Sequence, residues 1–281
     1  MPPEFRTRAD LLRAGHTRRS IQAAVRRGEL VHVRRDRYLS NDADDKFARA
    51  VRVGGRLTCL SLLSVLGVFV LRNRTLHVHV HPGASRLRNP QNPKKRLSAE
   101  HRTRVILHWT NLMEVPGSSS AVHVLDALAH SVLCQPPRAA VATLDSALNK
   151  GLISTVQLGE LFAALPTRFR MLAGLVDGRA ESGPESLVRL MARMLGCDIQ
   201  LQVKFEEVGR VDLVLDGWLV VECDSEQFHA TWEAQVRDRE RDLALASLGY
   251  ATLRLTASTI MYRPDDALAA LRGLIESRRS M

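Results

Sequence analysis

The chain has 281 residues, 45% of them hydrophobic and 5% aromatic, with a formal net charge of +10. That length supports two or three domains with aliphatic cores and excludes a disordered tail. The charge is uneven, residues 1–110 carrying 23 Lys/Arg against 8 Asp/Glu and residues 111–281 carrying 17 against 22, so the first part is expected to meet a polyanion.

In chain order, Ala9, Leu11 and Leu12 begin an amphipathic turn that Gly15 closes. Thr17 is a good N-cap for a second helix with Ile21, Ala24 and Val25 at helical spacing, and Gly28 stops it. Leu30 to Val33 and Arg37 to Leu39 read as two strands around a turn at Arg35-Asp36. Helix, turn, helix and hairpin is the order of a winged helix-turn-helix, expected over residues 1–40. Arg18, Arg19, Gln22, Arg26 and Arg27 lie on or beside the second helix, and Arg34, Arg35 and Arg37 lie in the wing. Those are the positions from which such a fold offers guanidinium groups to phosphates and base edges, so DNA is the expected partner.

Residues 41–178 form a mixed middle region. Helices are expected over 42–67 and strands over Thr75 to His81 and Arg104 to Trp109. The longest apolar stretch, Leu57 to Leu71, is broken by Ser61, Ser64 and Gly67 and is too short to span ~30 Å of hydrocarbon. With a polar N-terminus in place of a signal peptide, a soluble cytoplasmic protein is expected. His77, His79 and His81 alternate with valines and share one strand face; with no carboxylate or Cys nearby, a half-exposed face is expected rather than a zinc site. Cys59, Cys134, Cys197 and Cys223 make no C-x-x-C pair, which argues against a zinc ribbon or a disulfide framework. Residues 82–100 read as a basic loop, and helical spacing runs from Ser119 to about Leu175 as a connector.

Residues 179–281 carry the chemistry. Ser182 and Glu185 have the spacing of a capping box. Strands are expected over Ile199 to Val203, Arg210 to Leu215, Trp218 to Cys223 and Tyr250 to Thr256, with a helix over Thr231 to Leu248 and a closing helix over Asp265 to Glu276. Glu222 to Arg254 reads as a parallel crossover. Asp212, Glu222 and Asp224 sit inside apolar runs, where a lone carboxylate is costly unless paired or metal-bound. A two-residue loop at Asp216-Gly217 would set Asp212 and Glu222 on opposite faces. A three-residue loop including Trp218 would pair them directly, about 5 Å apart, with Asp224 on the same face. Asp238 and Arg241 are also spaced for an ion pair within one helix.

Two resemblances follow from these residues. The first part is similar to the N-terminal domain of AbiEi-type antitoxins, which autoregulate toxin–antitoxin operons, through Asp10-Leu11-Leu12, Gly15, Arg18, Gly28-Glu29-Leu30 and Arg34-Arg35-Asp36-Arg37-Tyr38. The likeness continues through Leu57-Thr58-Cys59-Leu60-Ser61-Leu62-Leu63-Ser64-Val65-Leu66-Gly67 to about residue 165, so that 41–178 reads as an AbiEi-like middle region. Residues 181–260 resemble the very-short-patch-repair branch of the PD-(D/E)XK nucleases, through Glu181-Ser182 with Glu185, Gly209-Arg210-Val211-Asp212-Leu213, Val220-Val221-Glu222-Cys223-Asp224, Phe228-His229 and Asp238-Arg239-Glu240-Arg241-Asp242. The second resemblance implies a restriction-endonuclease-like α/β/α domain and an α+β chain overall. It also implies Mg²⁺ or Mn²⁺ held by Asp212, Glu222 and Asp224, Glu185 as a further acid, and His229 as general acid or base. Arg241 and Arg254 would hold phosphate or brace the acids. Asp224 stands where the superfamily has Lys, and Ser225 where this branch has Gly. A metal-dependent endonuclease is therefore expected, against a non-catalytic antitoxin-like regulator. A toxin, repair or defence protein is a further candidate partner, and the oligomeric state is left open.

Overall fold

Capping hydroxyls and left-handed turn residues set the element boundaries in the computed structural model, which describes residues 2–224 and 232–280. Helices α1 (Arg8–Arg13) and α2 (Arg18–Arg26) each follow a threonine, Thr7 or Thr17, whose hydroxyl accepts the N–H three residues on. Strands β1 (Leu30–Arg34) and β2 (Arg37–Ser40) form an antiparallel hairpin around Arg35-Asp36, where Asp36 takes φ 57°. Leu11, Ile21 and Tyr38 bring both helices and the hairpin onto one small core.

Helix α3 (Asp45–Val53), strand β3 (Arg56–Leu57), helix α4 (Cys59–Val65), strand β4 (Leu76–His79), helix α5 (Ala99–Arg102), strand β5 (Val105–His108) and helix α6 (Val124–Cys134) follow. The helical reading of 42–67 missed β3, which pairs antiparallel with β4, while β4 runs parallel to β5. Gly55 permits this approach, since a Cβ there would collide with the His79 carbonyl oxygen. The basic loop folds back on itself around Asn89, whose Oδ1 accepts the N–H groups of Gln91 and Asn92. Helices α7 (Pro137–Asn149), α8 (Thr155–Ala164) and α9 (Thr167–Arg170), with a 3-10 turn at Met171–Leu175, occupy the expected helical stretch.

The last part runs α10 (Gly183–Met194), β6 (Ile199–Phe205), β7 (Gly209–Leu215), β8 (Leu219–Asp224), α11 (Trp232–Ser247), β9 (Ala251–Thr256), α12 (Ala257–Tyr262) and α13 (Pro264–Arg279). Its sheet has the order β6-β7-β8-β9, antiparallel except for the parallel pair β8/β9. The chain is thus mixed, α+β overall. No helix among the described residues is long and apolar enough to cross a membrane.

The chain divides into two compact units that do not follow linear order: residues 1–135 with 152–170, and residues 136–151 with 171–281. The head and the β3-β4-β5 sheet lie in the first, so the break expected near residue 40 falls inside one unit. The expected helical connector is split, with α7 in the second unit. There α7 is fastened to α10 by a fully buried ion pair. Arg189 Nη2 lies 2.8 Å from Asp145 Oδ2 and 2.7 Å from the Leu175 carbonyl, and the Asp177 N–H donates to Asp145 Oδ1 at 2.7 Å. Removing one partner leaves a buried charge uncompensated, so Asp145→Ala is expected to lower the unfolding free energy by about 3–5 kcal/mol in denaturant titration. Asp145→Leu combined with Arg189→Met is expected to recover most of that loss; equal losses in the single and double variants would show that packing, not charge, is at stake.

Candidate functional site

The turn between β7 and β8 decides where the acids point. Asp216 and Gly217 both take positive φ, 49° and 70°, which Asp tolerates and Gly adopts freely. The Trp218 N–H then closes on the Leu215 carbonyl at 3.1 Å, and pairing resumes at Leu215↔Leu219. The loop therefore has the odd length. Asp216 is held by the Asp198 N–H at 2.7 Å and by Arg279 at 3.1 Å.

From Leu213↔Val221 the register carries one step further to Asp212 and Glu222. Two hydrogen bonds mark that level: the Asp212 N–H donates to Glu222 Oε2 at 3.4 Å, and the Cys223 N–H donates to Asp212 Oδ2 at 2.8 Å. On one side Glu222 pairs with Arg254 across β8/β9. On the other, Gln202 lies opposite Asp212, between the pairs Leu201↔Leu213 and Val203↔Val211. Gln202, Asp212, Glu222 and Arg254 thus form one level row across four strands. Asp224 is two residues beyond Glu222, on the same face.

Glu185, buried on α10, approaches this row. Only the Ser182 half of the expected capping box is present: Ser182 Oγ accepts the Glu185 N–H, but the Glu185 carboxylate accepts the Glu181 N–H at 2.9 Å and Gln202 Nε2 at 2.7 Å. Gln202 takes φ 55° in mid-strand, and its buried Oε1 has no hydrogen-bond partner. No sequence motif marks Gln202; its one signal is its place ten residues before Asp212, as Asp212 is ten before Glu222.

Arginines partly neutralise the acids. Arg241 Nη2 is 3.0 Å from Glu222 Oε1 and 2.9 Å from the Arg210 carbonyl, so it reaches across to the sheet instead of serving the ion pair with Asp238 weighed from helical spacing. Arg254 bridges Asp242 at 2.9 Å and Asp224 at 3.6 Å. Burial dominates nonetheless. It raises the carboxyls of Asp212, Asp224 and Glu185 above their ordinary range, and Asp224 adds to it at Asp212 while Arg254 opposes it at Asp224. Burial first, then the Asp212 carboxylate, pushes Glu222 up to about 7, against the pull of Arg241. His229 and Ser225 lie outside the described residues.

The basic head offers a subset of its expected contacts. Arg18, Gln22 and Arg26 line a cleft of about 690 Å³ together with Arg8, His32, Ile21 and Tyr38. Arg8 was not singled out in the sequence. Arg19 and Arg35 are exposed. Three expected contacts are engaged elsewhere: Arg27 grips Glu29 through two bonds of 2.7 and 2.9 Å, Arg37 lies 4.6 Å over the Phe5 ring, and Arg34 reaches the Arg86 carbonyl at 3.4 Å.

In the same unit the histidine strand departs from expectation. His77 and His79 are buried, 2% and 5% exposed, and cysteines do lie nearby. Cys59, His77, His108 and Cys134 place one ligand atom each within 4.8 Å of all the others and could hold a metal ion. Among the described residues no other group of three or more such side chains is that close, so the acids of the second unit do not form a closed ligand set by themselves. No family model, curated protein or solved structure matches the chain.

A carboxyl whose folded pKa exceeds its unfolded one favours the folded state only while protonated. The Glu222 contribution thus falls as pH rises from about 4.5 to about 7 and stays low above that. Glu222→Gln is expected to raise the melting temperature at pH about 8 and to leave it near wild type at pH about 4. A lower melting temperature at the higher pH would mean that the Arg241 ion pair outweighs burial.

Proposed function

We propose that the protein binds DNA and hydrolyses its phosphodiester bonds with a metal-dependent site in the second unit, an endonuclease directed by the basic head. The observation that carries this reading is the level row of Gln202, Asp212, Glu222 and Arg254 with Glu185 beside it. It is the convergence of acids that the resemblance to very-short-patch-repair nucleases implies, and the helix–turn–helix–hairpin order of the head supports the likeness to AbiEi-type antitoxins.

The donors suit a hard cation, because all are oxygens and the unpartnered amide oxygen of Gln202 adds one more. Mg²⁺ or Mn²⁺ would be held by Asp212 and Glu222, with Asp224 on the same face. Magnesium commonly uses one or two protein carboxylates and completes its shell with water and substrate phosphate, so the open set is sufficient. When bound, such an ion supplies an activated water and charge stabilisation at phosphorus. Glu185 holds the Gln202 amide through its nitrogen and leaves the amide oxygen unpartnered. Arg241 and Arg254 place positive charge at the same level, where a phosphate would otherwise meet only carboxylates. His229 is the proton carrier that the resemblance suggests. The head's free guanidinium groups recruit a polyanion that an acidic region of net charge −5 would not attract. This reading implies a protein of the cytoplasm.

The ion pairs Arg241–Glu222 and Arg254–Asp224 favour a second reading, a non-catalytic regulator whose acids are neutralised internally. Incubating plasmid and oligonucleotide DNA with the full-length protein and Mg²⁺ or Mn²⁺ separates the two. Cleavage is expected with wild type and is expected to fall by more than about a hundredfold in Asp212→Ala, beyond the loss usual for an outer-shell residue. Equal cleavage by both would identify a contaminant, and cleavage by neither would favour the regulator. In gel shifts across a salt series, Arg18→Ala with Arg26→Ala is expected to flatten the slope by about 2, at about 0.9 per phosphate contact. An unchanged slope would remove the head from the DNA interface.

A further inference from the structure

The geometry points to a second metal site, chemically unlike the first: we propose that Cys59, His77, His108 and Cys134 bind one zinc ion that fastens the first unit. The inference does not depend on the nuclease reading. The ligands come from four elements, with Cys59 opening α4, His77 on β4, His108 ending β5 and Cys134 ending α6. Register places His77, His79 and His108 on one sheet face, since His79 pairs with His108 and His77 is two residues back along β4.

The spacing fits tetrahedral zinc. Bonds of about 2.0–2.1 Å to imidazole and about 2.3 Å to thiolate set nitrogen–nitrogen and nitrogen–sulfur separations of about 3.3 and about 3.6 Å. Here His77 Nδ1 and His108 Nε2 are 3.2 Å apart, and Cys134 Sγ is 4.0 Å from His108 Nε2. The widest ligand separation, up to 4.8 Å, would have to shorten by about 1 Å, and the exposed Cys134 at a helix end is the ligand freest to move.

The surroundings are also those of a ligand cage. His77 has its other ring nitrogen, Nε2, 3.1 Å from the Thr75 hydroxyl, the outer contact that fixes a liganding imidazole. His108 stacks on His130 at 4.5 Å between ring centroids, and His130 is held at both nitrogens by Thr58 at 2.7 Å and Thr110 at 2.6 Å. Cys59 takes φ 50°, a left-handed backbone that is unfavourable for a residue bearing a side chain. Two thiols and two imidazoles with no carboxylate select a borderline-soft ion over Mg²⁺ or Ca²⁺. With four protein ligands the coordination is closed, which is the pattern of a structural site.

Metal analysis of the purified full-length protein tests this. About one zinc per chain is expected by mass spectrometry, retained in Asp212→Ala and lost in Cys134→Ser, whose exposed position spares the core. Cobalt substitution is expected to give intense tetrahedral visible bands and a thiolate-to-cobalt charge-transfer band. Thr75→Val is expected to weaken zinc retention against a chelator by about 10–100-fold. Wild-type protein without zinc and without the cobalt charge-transfer band would overturn the proposal, whatever the variants do. So would zinc content unchanged in Cys134→Ser, or a Cys59–Cys134 disulfide in protein isolated without air.

Discussion

The arrangement of the second unit depends on the length of one turn. Because a strand alternates faces with every residue, removing one residue between β7 and β8 would send Asp212 and Glu222 to opposite sides of the sheet. The extra residue is Trp218, admitted by left-handed Asp216 and Gly217. The turn is braced as well as permitted: Asp198 and Arg279 hold the Asp216 carboxylate, and Arg278 lies 5.6 Å over the Trp218 ring. The C-terminal helix thereby helps fix the register that assembles the acids. In this sense the chemistry of the row begins at a hairpin several residues away from it.

The electrostatics of that row are unbalanced in a telling direction. Raised carboxyls persist at Asp212, Glu222, Asp224 and Glu185 even with Arg241 and Arg254 in place. The cost of burying several negative charges together thus exceeds what two arginines return. An amide at one of these positions would remove that cost, and a cation held nearby would offset it by favouring the charged form. The orphaned Gln202 oxygen points the same way.

What could be read from the sequence was mostly local. The hydroxyls of Thr17 and Ser182, the stop at Gly28 and the alternation through Val211 to Leu215 announced helices and strands because each signal acts within a few residues of itself. The acids were legible as an anomaly, but both loop lengths stood open, and the choice lay in backbone angles at Asp216. Charge alone did not show that Arg27, Arg34 and Arg37 find partners inside the protein. The cysteine–histidine cluster was invisible for another reason: its members are 18, 31 and 26 residues apart on four elements, so no spacing motif exists. The strand histidines read as half-exposed in the sequence because nothing in it says that α4 and α6 bring cysteines over them.

The interleaving of the two units has a practical consequence. Three chain crossings, near residues 135, 151 and 170, weave α7 into a body otherwise made by residues 171–281. A fragment cut at the boundary that the sequence suggests, residues 179–281, would leave Arg189 behind without Asp145 and strip α10 of the helix it packs on. The last part of the chain is therefore not a detachable cassette. Gene fusion, domain shuffling or deletion mapping that treats it as one would sever a cross-brace and read out misfolding instead of the effect of the cut itself.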